Sequence, residues 1–274
     1  MTTLIAGCGY VGSALAERLV ARGERVIALT RSERALPAGV EPLVASLPDP
    51  SLVVPRGIDR LVYAVAPGRR DDDAYRRAYP EGLASVLDAL DRADGSISRA
   101  VLVSSTAVYA QDDGSVVDER SPARATGTAS RVLSAEALLA EALGTRGVVL
   151  RLSGIYGPGR DRIVRSVREG RLPEDAERIG NRIHRDDAAA AIDHLLAHAA
   201  PDALYVGTDE ASVPFREVYA WLASALGVAL SLPAAAGPPS GKRLDGSRLR
   251  STGFTLRYPT FREGYAALLT PRSP

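Results

Sequence analysis

Up to residue 152, apolar residues gather in short runs, at residues 3–6, 25–29, 42–45, 60–66, 100–104 and 148–152. Between the runs, apolar positions recur at helical spacing over 13–21, 72–91 and 129–143, and again over 186–199. Strands alternating with helices in this way predict an α/β fold, a Rossmann-type doubly wound parallel sheet with right-handed crossovers. After Leu152 the pattern changes to a turn at Tyr156-Gly157-Pro158-Gly159, a short helix over 163–169, a strand over 203–206 and a helix over 215–226. Residues 233–241, rich in Pro, Ala and Gly, read as a loop.

The first run leads straight into Gly7-Cys8-Gly9-Tyr10-Val11-Gly12, and Leu15, Leu19 and Val20 carry a helix immediately behind it. A strand, GxGxxG and a helix, in that order, form a dinucleotide site. Gly7 permits the tight turn, Gly9 lets a pyrophosphate approach the backbone, and Gly12 lets the helix close on the strand. The phosphates are then expected on the helix N-terminal amides around Tyr10 and Val11. The second strand ends in Thr30-Arg31-Ser32, where an NAD site places a carboxylate on the ribose hydroxyls. Arg31 suits a 2'-phosphate, Thr30 and Ser32 offer hydrogen bonds to it, and no carboxylate repels it. NADP is therefore favoured over NAD.

Composition narrows the class. The 274 residues, 46% of them hydrophobic, suit one elaborated domain or two intimately joined ones. A formal charge of +1 leaves no basic excess for nucleic-acid phosphates, so nucleic acid is not an expected partner. No apolar run reaches the length of a membrane span, and Met1-Thr2-Thr3 leads into the first strand without room for a signal segment. Cys8 is the only cysteine, which excludes an intramolecular disulfide and fits a reducing, cytoplasmic setting. His194 and His198 have i, i+4 spacing, but nothing completes a ligand set. Asp71-Asp72-Asp73 suits a helix start, so no metal is expected.

Three later segments carry a family resemblance: Val101-Leu102-Val103-Ser104-Ser105-Thr106-Ala107-Val108-Tyr109, Leu150-Arg151-Leu152-Ser153-Gly154-Ile155-Tyr156-Gly157-Pro158-Gly159 and Asn181-Arg182-Ile183-His184-Arg185-Asp186-Asp187. With the glycine loop and the tail at 248–264, they resemble the extended short-chain dehydrogenase/reductases, the NAD-dependent epimerase/dehydratase family, over nearly the whole chain. The resemblance implies an NAD(P)-binding Rossmann core at 1–152. Residues 153–274 would then complete the core and form a small C-terminal substrate lobe. It implies that Ala64, Val65 and Ala66 line the adenine ribose and pyrophosphate, that Ser105 hydrogen-bonds a substrate oxygen, and that a homodimer forms through the helix over 129–143.

The resemblance also implies a Tyr-x-x-x-Lys pair within 125–136, and the sequence has none. Its only lysine is Lys242. Arg131 offers positive charge near the ribose, but a guanidinium does not give up its proton, and Ser or Thr is too weak an acid to replace a phenol. Gly154 and Ile155, Tyr79, and Ser46 also depart from residues common in relatives. The atypical branch, which keeps the cofactor fold and lacks the pair, is the match.

Two candidates remain for acid–base work: Tyr156, after the sixth strand, and His184, whose ordinary pKa suits proton transfer near neutrality. Each has a plain structural alternative, packing for Tyr156 and capping for His184. Arg151, Arg160 and Arg162 are candidates for an anionic substrate group. The expectation is an NADP-linked oxidoreductase or epimerase/dehydratase-like protein acting on a carbonyl or sugar-like small molecule with a non-standard proton donor. The alternative is a noncatalytic NADP-binding sensor or regulatory protein.

Overall fold

The computed structural model describes residues 1–94, 96–124, 126–173, 175–231 and 238–270. The first elements are β1 (Thr2–Ala6), α1 (Tyr10–Ala21), β2 (Arg25–Thr30), β3 (Val40–Val44), β4 (Arg60–Tyr63), α2 (Asp72–Arg76), α3 (Gly82–Arg92) and β5 (Arg99–Ser105). There follow β6 (Asp113–Val117), α4 (Thr128–Leu143), β7 (Gly147–Leu152), β8 (Gly154–Tyr156), α5 (Arg162–Arg168), β9 (Ile179–Gly180), β10 (Arg182–His184) and α6 (Arg185–Ala197). The last are β11 (Leu204–Gly207), β12 (Val213–Pro214), α7 (Phe215–Leu226), β13 (Gly241–Leu244), α8 (Ser247–Ser251) and α9 (Phe261–Leu269).

A seven-stranded sheet runs in the order β11-β7-β5-β4-β1-β2-β3. Leu4 of β1 pairs in parallel with Ile27 of β2 and with Leu61 of β4. Leu4, Ile5, Leu61, Val62, Val101 and Leu102 have no exposed surface. Strands covered by helices on both faces need apolar residues at every position, which is why they read as continuous runs. The strand order reverses between β1 and β4, and in sheets of this kind the ligand crevice opens beyond the strand ends at that point.

The chain there comes into backbone contact. Gly7 has φ +91°, and a Cβ added to it would lie 2.5 Å from the Ala64 carbonyl carbon and oxygen and 2.6 Å from the Val65 nitrogen. The Ala64 amide donates to the Ala6 carbonyl at 2.7 Å, after which the chain leaves the sheet. β4 therefore ends at Tyr63, short of the predicted residue 66.

The helix predicted over 72–91 is interrupted. Asp71 caps α2 by accepting from the Ala74 amide at 2.9 Å. One wide turn, Arg77–Glu81, then separates α2 from α3 and holds Pro80. Proline has no N–H to give, so the ladder widens by one residue and the chain continues helical.

The chain divides into two compact units, and the division is more interleaved than a cut at 152. The first unit is Met1–Tyr109, Pro122–Arg151 and Ala189–Tyr205; the second is Ala110–Ser121, Leu152–Ala188 and Val206–Pro274. β6 belongs to the second because it pairs with β13, Val117 against Leu244, in a four-stranded sheet ordered β12-β9-β13-β6. The loop predicted over 233–241 lies outside the described residues up to 237, and Gly241 already belongs to β13. The second unit's core gathers Tyr156, Val164, Val167, Val218, Leu222, Phe261 and Tyr265. α9 enters it through a capping box in which the Thr260 amide donates to Glu263 Oε2 at 2.9 Å and Thr260 Oγ1 accepts from the Arg262 amide at 3.1 Å. No helix among the described residues is long and apolar enough to cross a membrane.

The glycine contact makes a testable contrast. Gly7→Ala strains the left-handed backbone and drives a Cβ into Ala64, and is expected to cost about 2–5 kcal/mol in urea unfolding. Gly9→Ala, whose Cβ meets nothing within 4 Å, should stay within about 1 kcal/mol of the parent. Equal stability of the two variants would show that the loop shifts to absorb the clash.

Candidate functional site

The glycine loop is held by its own backbone. The Gly7 amide donates to the Leu29 carbonyl at 3.0 Å, Gly9 to Gly7 at 2.8 Å and Ser13 to Gly9 at 2.9 Å, while Ser13 Oγ donates to the Cys8 carbonyl at 3.2 Å. A Cβ on Gly12 would stand 2.6 Å from the Gly7 carbonyl oxygen, so α1 closes on the loop only with glycine there. Gly9 differs, because its Cα faces open space. α1 has no acid in its first turn and no side-chain cap, so helix geometry leaves the first-turn amides of Val11 and Gly12 without an intrahelical acceptor. Bare backbone, amide donors and the positive end of a helix fit a pyrophosphate. Half-buried Ala64 and Val65 stand against Gly7, and Ala66 beyond them is exposed.

At the end of β2, Thr30 is buried and its hydroxyl donates to the Ser32 carbonyl at 3.1 Å. In this structure its one proton closes the turn. Arg31 and Ser32 are exposed. Arg31 Nη1 lies 3.3 Å from where a Cβ on Gly68 would stand, and no described residue forms an ion pair with Arg31. Cys8 is buried, and burial pushes its thiol pKa up against the opposing pull of the Ser13 hydrogen bond and the Arg34 charge. The thiol stays protonated and packs.

Ser105 ends β5, half-buried, and its Oγ accepts from the Ala107 amide at 3.2 Å. The hydroxyl proton is left for another acceptor. Behind it, buried Ser104 donates to Glu136 of α4. Arg151 of β7 forks onto the same carboxylate, Nε to Oε1 at 3.0 Å and Nη2 to Oε2 at 2.6 Å, with its guanidinium 4.8 Å from the Tyr109 ring centre. Burial works against the Arg151 charge, but the Glu136 hydrogen bonds and charge outweigh it and hold the guanidinium pKa above its ordinary value. The segment expected to carry Tyr and Lys thus carries a buried carboxylate locked to an arginine. Arg151 is not available to a substrate, and Arg131 is committed as well, to Asp72 at 3.0 and 2.8 Å. The Glu136–Arg151 pair was missed in the sequence, where fifteen residues and two elements separate the partners.

In the second unit, β8 and β10 set Tyr156 opposite His184, ring centres 5.3 Å apart and edge-on. Tyr156 also lies 4.8 Å from the Tyr265 ring with its hydroxyl against Gly264, and His184 lies 4.1 Å from Tyr258. His184 is 2% exposed and Tyr156 6%. The Asp186 amide donates to His184 Nδ1 at 3.2 Å, which places the proton of the neutral ring on Nε2. Burial pulls the imidazole pKa down to about 4 and pushes the Tyr156 phenol far above its ordinary value. A neutral buried imidazole and a phenol of such low acidity are poorly matched to proton transfer near pH 7. Asp209 and Arg182, also buried, hold the backbone of one residue from two sides: the Ala211 amide donates to Asp209 at 3.1 Å and Arg182 donates to the Ala211 carbonyl at 3.4 Å. Burial raises the Asp209 carboxyl to about 7.

A cavity of about 490 Å³ opens within the second unit, lined among others by Arg162, Arg171, Arg178, Phe215 and Tyr219. Arg178 pairs with Asp112 at 2.9 Å, whereas Arg162 has no ion-pair partner among the described residues. Arg160 donates to the Ile155 carbonyl at 3.2 Å. The His194 and His198 rings lie 5.6 Å apart, and the described residues contain no group of three or more metal-ligating side chains.

A parallel sheet with a glycine cradle at its switch point is the dinucleotide-binding fold. Residues 3–207 match the NAD dependent epimerase/dehydratase family, and the chain belongs to it. Protein YeeZ of Escherichia coli K12 is 30% identical, over 93% of this chain and 95% of its own. A solved structure from Methylobacillus flagellatus, assigned in its description to the NAD-dependent epimerases/dehydratases, is 39% identical with TM-score 0.82 over 98% of this chain and 97% of its own. UDP-glucose 4-epimerase of Thermotoga maritima, 16% identical with TM-score 0.78 over 96% of each chain, shares the fold.

Two measurements probe these buried clusters. Glu136→Ala strands the Arg151 charge and should cost about 3–5 kcal/mol in urea unfolding, much of it recovered when Arg151→Met is added. A loss below about 1 kcal/mol would show that Arg151 escapes to water. His184 and Asp209 should give opposite pH signatures. The folded pKa of His184 is depressed below the ordinary 6.5, so its contribution is full above that value and is lost as pH falls toward 4, by about 1.4 kcal/mol per unit. The folded pKa of Asp209 is raised, so its contribution is full below the ordinary carboxylate range and is lost as pH rises toward 7. Relative to the parent, His184→Asn should therefore fare better at pH 5 than at pH 7, and Asp209→Asn better at pH 7 than at pH 5. Parallel melting curves at both pH values would refute the assignment.

Proposed function

We propose that the protein is a cytoplasmic NADP-dependent oxidoreductase or epimerase/dehydratase-like enzyme acting on a carbonyl or sugar-like small molecule. The carrying observation is the bare glycine cradle at the sheet's switch point, together with Arg31 at the end of β2, exposed and without a carboxylate partner among the described residues. The family supports a nicotinamide dinucleotide; Arg31 supports the 2'-phosphate. Bound NADP would supply reversible hydride exchange at the carbon bearing the substrate oxygen. Gly9 and the first-turn amides of α1 hold the pyrophosphate, Arg31 and Ser32 take the 2'-phosphate, and Ala64 and Val65 leave room beside the ribose. Ser105 donates its free proton to the substrate oxygen.

The proton donor is non-standard, and burial leaves Tyr156 and His184 weaker in that role than their residue types suggest. A second reading, a noncatalytic NADP-binding sensor, is favoured by one observation: the segment of α4 where the resemblance puts the proton-transfer pair holds the Glu136–Arg151 ion pair.

Titration of the intact protein with NADPH and NADH by cofactor fluorescence tests the cofactor, with NADPH expected to bind at least about tenfold tighter. Equal affinities would overturn the NADP assignment. Loss of NADPH absorbance in the presence of carbonyl compounds or sugar nucleotides, abolished by Ser105→Ala, is the expected sign of catalysis. Tight NADPH binding with no turnover across that panel would favour the sensor.

A further inference from the structure

We infer that Gly68, in the loop between β4 and α2, is a specificity-determining residue for the cofactor, because it places no side chain, and so no carboxylate, on the face of the Arg31 guanidinium that it adjoins. This rests on the reading of Arg31 as the 2'-phosphate residue. Position 68 is where a side chain would meet Arg31, since an added Cβ would lie 3.3 Å from Arg31 Nη1. The backbone there is not left-handed, so it tolerates any residue. What a side chain would change is the arginine's surroundings.

The charges around the loop are already sorted. Three acids follow Gly68 closely in sequence, and each is taken by a different arginine. Asp71 pairs with Arg69 at 3.1 Å and caps α2, Asp72 is forked by Arg131, and Asp73 is bound by Arg76. Arg31, Arg34 and Arg70 form no ion pair among the described residues, and all three are exposed. Arg34 is close enough to the glycine loop for its charge to act on Cys8. The segment after β2 thus carries two guanidinium groups, Arg31 and Arg34, against one exposed carboxylate, Glu33, which forms no ion pair with either among the described residues, although 33 acidic side chains nearly balance 34 basic ones over the chain. A fork-shaped, unpaired guanidinium is the group that takes a phosphate dianion in two parallel hydrogen bonds. A carboxylate at 68 would occupy that fork from within the protein and present negative charge to the 2'-phosphate.

Gly68→Asp, Gly68→Asn, Arg31→Ala and the double variant Gly68→Asp/Arg31→Ala test this by NADPH and NADH affinity, with melting temperature as the folding control. Gly68→Asp should weaken NADPH at least about tenfold and leave NADH within about threefold, while Gly68→Asn, of the same shape without the charge, leaves both within about threefold. The double variant should bind NADPH no more weakly than the weaker single variant, because the aspartate acts through Arg31. An unchanged NADPH-to-NADH ratio in Gly68→Asp, with the ratio lowered in Arg31→Ala, overturns the role of Gly68 and leaves the Arg31 site standing. An equal loss in Gly68→Asn also overturns it. A ratio unmoved by Arg31→Ala overturns the Arg31 reading, and the inference with it.

Discussion

The first unit depends on one place where two stretches of backbone touch without side chains between them. β1 lies between β2 and β4, so the loop leaving β1 must turn at the point where strand order reverses, directly beside the end of β4. It comes so near that Gly7 sits on the Ala64–Val65 peptide, and α1 folds back until Gly12 rests on the Gly7 carbonyl. Any Cβ at these two positions would push the helix off the sheet. Gly9, between them, faces open space, so the tight construction on either side produces an empty floor in the middle. Structural necessity at Gly7 and Gly12 and ligand access at Gly9 are therefore separable roles within one motif.

Arginine supplies nearly all the positive charge of this chain, so the residue type alone says little about function. Partnership is what distinguishes one arginine from another. Arg22 grips Asp193 at 2.6 and 2.7 Å, Arg25 forks onto Glu41 at 2.8 Å, and Arg151 is buried on Glu136. These side chains hold elements together and are unavailable to ligands. Glu136 is the sharper case, because α4 there holds a buried ion pair. An ion pair of this kind is costly to break and contributes modest net stability when intact. Its retention next to Ser104 fixes the end of β5, and with it the residue that follows, Ser105.

The fold was legible where burial imposes a simple pattern. Continuous apolar runs marked the inner strands of the large sheet because both faces are covered, and GxGxxG marked the switch point because only glycine fits the contacts at Gly7 and Gly12. Strands of two or three residues, β8, β9, β10 and β12, have no period to read. The capping box of Thr260 and Glu263 did signal α9 and went unused. The surroundings of Tyr156 and His184 had no local signal at all. Their burial is created by Gly264, Tyr265 and Tyr258, about a hundred residues from Tyr156 in sequence. Pro80 shows the reverse, a visible helix breaker that the chain absorbs by widening one turn.

The two units treat their polar groups in opposite ways. The first leaves the Ser105 proton and the Arg31 fork at strand ends without a protein partner among the described residues that consumes them, where water can solvate them at little cost. The second takes Tyr156, His184, Arg182 and Asp209 out of water, where burial alone drives the imidazole and the carboxyl toward their neutral forms. A solvated, unpaired donor can change partner when a ligand arrives, and the cost of losing water is repaid by the new bond. A buried neutral group has already lost that water and has no such exchange to make. Reactive residue types in the second unit's core therefore carry less functional meaning than a glycine and an arginine at the edge of the first.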